Sequence, residues 1–226
     1  MQTKTPATGR AITTVLLDVD GTLVDSNDAH AHAWVEAFEE HGVPVAFADV
    51  RRCIGMGGDK LMPEVSGIAD DSPEGTRIAR SRGEIFMRVF LPTLKPLRQS
   101  AEFVAALKSR GLTAVAASSA QRKELTQLLK IAGAAALVDD STSSDDAEDS
   151  KPDPDIIEAA LKKAGAAPGD AVMVGDTPYD IEAARRAGVP TIAFRSGGWP
   201  DADLAGAIAI FDGPWDLLAH IEEVLG

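Results

Sequence analysis

The chain has 226 residues, which is enough for one large domain or two small ones with an adequate hydrophobic core. It is 45% apolar and 25% charged, as in ordinary globular proteins, and no apolar run reaches the roughly 18–20 residues of a membrane span. The net charge of −13 argues against nucleic-acid binding, which normally needs a basic surface. The single cysteine, Cys53, leaves no internal disulfide and favours a cytoplasmic protein, and no cluster of histidines predicts zinc.

The first segment, residues 1–11, has no run of hydrophobic residues. It is expected to be a frayed tail rather than a signal peptide. The apolar run Ile12–Leu17 then predicts a strand buried on both faces. Asp18 and Asp20 follow it, and Gly21 permits a sharp turn. Acids at the end of a buried strand are costly unless a cation meets them. Two of them on rigid backbone therefore indicate a site for a hard cation and for phosphate.

The next segment is predicted to be helical throughout. Apolar side chains recur on one helical face over residues 27–41 and 72–91, with a glycine-rich stretch, Gly55–Lys60, between them. Because nothing here resembles a strand, we expect a helical insert that begins near residues 25–27. Two prolines in residues 91–96 suit a stiff hinge at its end.

Short apolar strands then alternate with amphipathic helices. The predicted strands lie at 112–117, 135–138, 171–174, 190–194 and 207–211, and the predicted helices include 155–164 and 214–224. Asp153 is expected to be the N-cap of helix 155–164 with Pro154 as its first residue, and the acidic loop 139–150 to be a solvated connector. The pattern predicts an α/β fold with a doubly wound, mostly parallel Rossmann-like sheet, whose functional residues lie at the carboxyl ends of strands.

Four stretches carry the chemistry. They are DVDGTLVDS at 18–26, Ser118 at the end of a strand, Lys151 before Pro152, and GDTPYD at 175–180. Their types and order resemble the four motifs of the haloacid-dehalogenase-like hydrolase superfamily. The helical insert between the first two motifs is similar to that of the helical-cap subgroup, which includes phosphoglycolate-phosphatase-like and β-phosphoglucomutase-like enzymes. The resemblance implies a core formed by residues 1–26 and 94–226 and a helical cap formed by residues 27–93.

The resemblance also implies catalytic roles. Asp18 is expected to be the nucleophile that takes a phosphoryl group as an aspartyl-phosphate. Asp20 is expected to protonate the leaving oxygen and then to activate water. Lys151 would neutralise the nucleophile and phosphate, and Ser118 would bind a phosphate oxygen, although Ser118 also fits a helix-capping box with Gln121.

Magnesium is the expected cofactor. The resemblance implies that the ligands are Asp18, the backbone carbonyl of Asp20, Asp176 and Asp180, whose oxygens are of the kind that Mg²⁺ prefers. Asp180 is the less direct of these, because Thr177 as N-cap followed by Asp180 at the third helical position makes a sound helix start without any metal.

Further substrate-binding residues are expected beside these motifs and in the cap. The candidates are Gly21, Thr22, Ser119, Gly57, Gly58 and Lys60. The glycine-rich stretch fits a substrate-specificity loop that closes over the core, but a flexible turn between helices explains it equally well. His30 is expected to pack within the cap or to touch Asp20 or the substrate.

The favoured function is a Mg²⁺-dependent phosphatase acting on a small phosphorylated metabolite. The first alternative is a β-phosphoglucomutase-like mutase, which needs basic cap residues; only Arg51, Arg52 and Lys60 lie near the glycine-rich stretch. A 2-haloacid dehalogenase is disfavoured by Asp20 and Asp176, and a catalytically silent binding module by the intact carboxylates. We expect no nucleic-acid or membrane partner, and a monomer or weak homodimer.

Overall fold

A computed structural model describes residues 11–225, so the predicted N-terminal tail lies almost wholly outside the described residues. Within that range the protein has one six-stranded, fully parallel sheet with strand order β3-β2-β1-β4-β5-β6. The strands are β1 Thr14–Leu17, β2 Thr113–Ala117, β3 Asp140–Thr142, β4 Ala171–Gly175, β5 Thr191–Phe194 and β6 Ala209–Phe211. The predicted fold class is therefore confirmed.

Ten α-helices accompany the sheet in the described range. They are α1 Asn27–Glu40, α2 Phe47–Cys53, α3 Gly58–Ser66, α4 Pro73–Ile85, α5 Ser100–Ser109, α6 Arg122–Ile131, α7 Asp155–Ala164, α8 Pro178–Arg186, α9 Pro214–Ala219 and α10 Ile221–Leu225. None of these helices has the length and apolarity needed to cross a membrane.

Helices cover both faces of the sheet. Side chains of α7 and α8 pack with Leu16 and Met173 on one face, and side chains of α5, α6 and α9 pack with Leu17 and Phe194 on the other. The central strands are apolar on both faces because both are buried by helices. The strand order reverses beside β1, and in such sheets the crevice at this reversal is where ligands bind.

Residues 27–93 form a helical layer, as predicted, and contain none of the six strands of the sheet. Helix α4 continues as a π-helix, Phe86–Phe90, rather than as the single α-helix expected over 72–91. The two connecting segments run side by side, since the Asp25 N–H donates to the Lys95 carbonyl at 3.1 Å and the Leu97 N–H to the Leu23 carbonyl at 2.9 Å. The insert thus leaves and rejoins the core at one place.

Three local predictions were wrong. Residues 135–138 are not a strand. The third strand, β3, lies just beyond them, inside the predicted connector. Its position is fixed by its hydrogen bonding to β2 and not by a run of apolar residues. Asp153 does not cap α7, since Pro154 is the N-cap residue and the Asp153 carboxylate accepts from Arg186 at 2.7 Å. The expected last helix is broken at His220 into α9 and α10.

Candidate active site

Three predicted residues stand directly after three neighbouring strands. Asp18 follows β1, Ser118 follows β2 and Asp176 follows β4, and Leu17 is aligned with both Ala116 and Val174 in the sheet register. Because parallel strands end at the same edge, the three side chains meet in the crevice beside β1. Local sequence placed each residue at a strand end, and the register brings them together.

Lys151 is a completely buried lysine at the centre of this site. Its ammonium lies 2.7 Å from Asp18 Oδ1 and 2.7 Å from Asp180 Oδ1, and it donates to the Ala117 carbonyl at 2.7 Å. Burial lowers the pKa of Lys151, but the two carboxylates outweigh burial and hold that pKa above its usual range. The lysine is therefore a fixed positive charge beside the proposed nucleophile.

The pKa of the Asp18 carboxyl is also raised, but for an acid this shift disfavours the charged form. Burial raises its pKa, Lys151 opposes that rise, and the neighbouring acids Asp180 and Asp176 add to it, so that the pKa lies well above its ordinary value. One lysine does not balance the negative charge gathered here.

Asp176 is held by two side chains from the first motif region. Its Oδ1 accepts from the Thr22 hydroxyl at 3.0 Å and its Oδ2 from the Asn27 amide at 2.8 Å. Burial and the nearby Asp180 carboxylate raise the pKa of Asp176 to about 7. Sequence analysis did not single out Asn27; its place directly after the first motif was the only available signal.

Asp180 serves the helix start that the sequence predicted. Its Oδ2 accepts from the Thr177 N–H at 3.0 Å and the Thr177 hydroxyl at 2.7 Å, while Thr177 Oγ1 accepts from the Asp180 N–H, which completes a capping box. Its Oδ1 faces Lys151, so that Asp180 has both structural contacts and a place in the charged cluster.

The carboxylates fit a hard divalent cation. One oxygen from each of Asp18, Asp176 and Asp180 lies within 4.8 Å of the others, and all three residues are buried. Oxygen-only donors in this number are what Mg²⁺ prefers. Burial is the largest cause of the raised pKa values of Asp18 and Asp176, and the neighbouring carboxylates add to it, as expected of buried acids that lack a further cation.

Asp20 has a separate set of partners across the crevice. Its Oδ1 accepts from the Ser26 hydroxyl at 2.5 Å and lies 2.8 Å from His30 Nε2. Burial raises the pKa of Asp20, but His30, Ser26 and Arg82 outweigh that effect and leave the pKa below its ordinary value. The His30 ring stacks on Phe86 with a centroid distance of 4.0 Å, so the π-helical turn fixes its position. Sequence analysis expected His30 either to pack within the cap or to touch Asp20 or the substrate. In the structure it both packs against Phe86 and contacts Asp20.

Ser118 is not a helix cap. Helix α6 begins at Arg122 with Gln121 as the N-cap residue, and Ser118 Oγ instead accepts from the Ala120 N–H at 3.0 Å. The neighbouring Ser119 Oγ is buried and has no hydrogen-bond partner among the described residues. It lines the cavity described next, where a phosphate oxygen would satisfy it.

A cavity of about 50 Å³ lies between the strand ends and the helical insert. The lining residues come from both parts of the chain and include Asp18, Asp20, His30, Trp34, Gly57, Gly58, Arg82, Ser118 and Ser119. Trp34 and Arg82 were not among the predicted site residues. Lys60 does not line this cavity; its ammonium lies 2.5 Å from Asp149 Oδ1 and 3.0 Å from Asp153 Oδ2.

Comparison with known proteins shows which family the chain belongs to. A family profile described as haloacid dehalogenase-like hydrolase matches residues 15–194, which contain all four motifs. The chain belongs to the haloacid dehalogenase-like hydrolase family. The family membership inferred from the motifs is thus confirmed.

Individual proteins also match over most of the chain. A phosphoglycolate phosphatase from Rhodospirillum rubrum is 30% identical over 88% of this chain and 86% of its own length. The chloroplastic protein SUPPRESSOR OF QUENCHING 1 of Arabidopsis thaliana is 31% identical over 82% of this chain, but the match spans only 18% of that longer protein. The crystal structure of a hydrolase from Pseudomonas syringae has a TM-score of 0.87 and 30% identity, covering 95% of this chain and all of the other. The predicted enzyme class, a phosphatase of this family, agrees with the family match and with the relative named as a phosphatase.

Proposed function

We propose that the protein is a Mg²⁺-dependent phosphatase that hydrolyses a small phosphate monoester through an aspartyl-phosphate on Asp18. The observation that carries the proposal is the buried Asp18 carboxylate, 2.7 Å from the Lys151 ammonium and opening onto a cavity that Asp20 also lines. A carboxylate paired with a buried lysine can approach a phosphate dianion, because the lysine offsets their repulsion. The phosphoglycolate phosphatase among the relatives supports the same class of substrate.

The first chemical step is in-line attack. An Asp18 oxygen forms a bond to phosphorus while the bond from phosphorus to the alcohol oxygen breaks, and Asp20 gives a proton to that oxygen. The low pKa of Asp20 suits a carboxylate in the substrate-free enzyme. A bound phosphate dianion raises that pKa, which prepares Asp20 to act as an acid.

The second step reverses the role of Asp20. As a carboxylate it takes a proton from water, whose oxygen attacks the phosphorus and releases the Asp18 carboxylate and inorganic phosphate. Ser118, Ser119 and Lys151 would hold the phosphate oxygens in both steps, with Gly21 and Thr22 at the adjoining turn. Mg²⁺ would be held by Asp18, Asp176, Asp180 and the Asp20 carbonyl. When bound, it would supply positive charge that offsets the negative charge of the phosphate.

Residues 27–93 would act as a cap on a core of residues 1–26 and 94–226. The small cavity volume is that of a closed arrangement, so a substrate needs the cap to move about the paired connecting segments 23–25 and 95–97. Arg51 supports closure by donating to the Gly197 carbonyl at 2.8 Å, and the Tyr179 hydroxyl does so by donating to the Arg52 carbonyl at 2.6 Å.

The test is phosphate release from a panel of small esters, with Mg²⁺ and with chelator. We expect Mg²⁺-dependent release by wild type and by Asp203→Asn, a matched change at an exposed acid, and none by Asp18→Asn. Acid-quenched enzyme should carry a hydroxylamine-sensitive phosphoryl group on Asp18. Full activity of Asp18→Asn would refute the proposal, and metal-free halide release would favour the dehalogenase alternative. The cytoplasmic location, the absence of nucleic-acid and membrane partners, and the monomeric or weakly dimeric state stay predictions.

A further inference from the structure

The active-site cavity adjoins a larger space along the seam between the cap and the core. The larger space, here called the leaving-group chamber, has a volume of about 260 Å³. Trp34, Gly58, Arg82 and Ser119 line both the cavity and the chamber. An ester bound with its phosphorus beside Asp18 would therefore place its alcohol portion in this chamber.

Among the described residues that line the chamber, Arg82 is the one cation, and it is paired with Glu124. Its guanidinium Nη1 donates to both carboxylate oxygens of Glu124, at 2.6 and 2.8 Å, so that the two side chains form a charge-assisted pair. Glu124 is only 2% exposed, so this pair is nearly free of competing water. The guanidinium also lies over the Trp34 ring at 5.3 Å and the Phe86 ring at 5.6 Å. Arg82 is thus held in the wall by Glu124, and its single positive charge is outnumbered by the four acids that line the chamber.

The remaining charged groups of the chamber are acids. Asp59, Asp70 and Glu148 line it in addition to Glu124. Lys60, which sequence analysis gave as a candidate substrate contact, lies outside the lining; its ammonium is bound to Asp149 and Asp153 and lies 3.9 Å from Asp59 Oδ2. Carboxylates accept hydrogen bonds from hydroxyl and ammonium groups and repel a carboxylate or a second phosphate.

The apolar wall favours the same kind of ligand. Gly58 stands against Trp34, where an added Cβ would lie 3.0 Å from ring atom Cζ2. The absence of a side chain there leaves the ring next to the chamber. Trp34 is only 3% exposed, so it adds a small apolar contact beside the acidic acceptors, a combination that suits the carbon skeleton and the hydroxyl groups of a polyol.

We propose that the preferred substrate is the phosphate monoester of an alcohol that carries hydroxyl or ammonium groups and no negative charge. The inference rests on the proposed phosphatase function and narrows its substrate class. It separates this protein from an enzyme for phosphoglycolate, for pyrophosphate or for a sugar bisphosphate, each of which places a second anion in the chamber.

The first experiment compares kcat/KM within two matched series on the metal-loaded wild-type enzyme. One series is 2-hydroxyethyl phosphate, phosphoethanolamine and phosphoglycolate; the other is glycerol 3-phosphate and 3-phosphoglycerate. We expect the uncharged and cationic members to exceed the carboxylate member by at least about tenfold in each series. Equal or faster hydrolysis of the carboxylates would overturn this inference alone. Hydrolysis of no ester would refute the proposed function and the inference with it.

The second experiment changes the charge of the wall. Glu124→Gln releases the charge of Arg82 and should shift the ratio of kcat/KM values toward the carboxylate esters by about tenfold. Arg82→Gln removes the cation, leaves Glu124 unbalanced and should shift the same ratio in the opposite direction. Glu158→Gln, a change at an exposed acid of α7 that lines neither the cavity nor the chamber, should leave the ratio unchanged. Thermal unfolding identifies any variant that fails to fold, and a ratio that moves in neither folded wall variant would overturn the inference.

Discussion

The acidic cluster makes a definite prediction about the stability of the protein without metal. Asp176 is buried, and its pKa is about 7 in the folded protein, against an ordinary value of 3.8. Between these two values the folded state binds more protons than the unfolded state, so the free energy of unfolding falls as pH rises. Asp18, whose pKa is also raised, acts in the same direction.

The size of the effect follows from the two pKa values. They are about three pH units apart, and at 1.36 kcal/mol per unit the full penalty has a ceiling of ~4 kcal/mol. Part of this penalty is already present at pH 5. The free energy of unfolding should therefore fall by roughly 2–3 kcal/mol between pH 5 and pH 8. Groups with lowered pKa values, such as Glu182 at about 2, change stability only at lower pH and leave this window clear.

Urea unfolding measures this loss. In chelator the midpoint should fall by about 1 M between pH 5 and pH 8, given the slope typical of a protein of this size. With Mg²⁺ the fall should be absent, because Asp176 is then ionised in the folded state throughout. Asp176→Asn in chelator should have a clearly shallower dependence than wild type. A midpoint that rises or stays level for the chelated wild type would refute the reasoning.

Three further changes test other parts of the site. Lys151→Met should abolish phosphate release and lower the free energy of unfolding by about 3–5 kcal/mol, because it leaves buried carboxylates unpaired, whereas the same change at the exposed Lys162 should do neither. Gly21→Ala should weaken Mg²⁺ binding measured by calorimetry, since an added Cβ would lie 2.1 Å from Asp176 Oδ2; Gly42→Ala, with the same positive φ but open space, supplies the matched control. His30→Asn should lower kcat by about tenfold or more for alkyl phosphates and little for p-nitrophenyl phosphate, whose leaving group needs no proton. Equal losses on both ester types would show that His30 acts only through packing.

The catalytic carboxylates were within reach of sequence analysis because their signals are local. An acid directly after an apolar strand, a lysine before a proline and an acid after a buried Val-Gly pair each occupy a short stretch. A parallel doubly wound sheet then requires Asp18 and Asp176 to share one edge. The helical insert was predictable for the same reason, since helical periodicity is read within a few turns.

Contacts between distant segments could not be predicted in this way. Arg82 and Glu124 are 42 residues apart, and Lys60 and Asp149 are 89 apart, so each pair exists only because the helical insert docks on the core in one orientation. No local pattern tells whether a cap cation faces a substrate or a protein carboxylate. The sequence by itself determined the sheet, the insert and the carboxylates at the strand ends, because strand and turn preferences are local. Only the tertiary structure decided which charges in the chamber remain free, because ion pairing depends on the distances between elements brought together by packing.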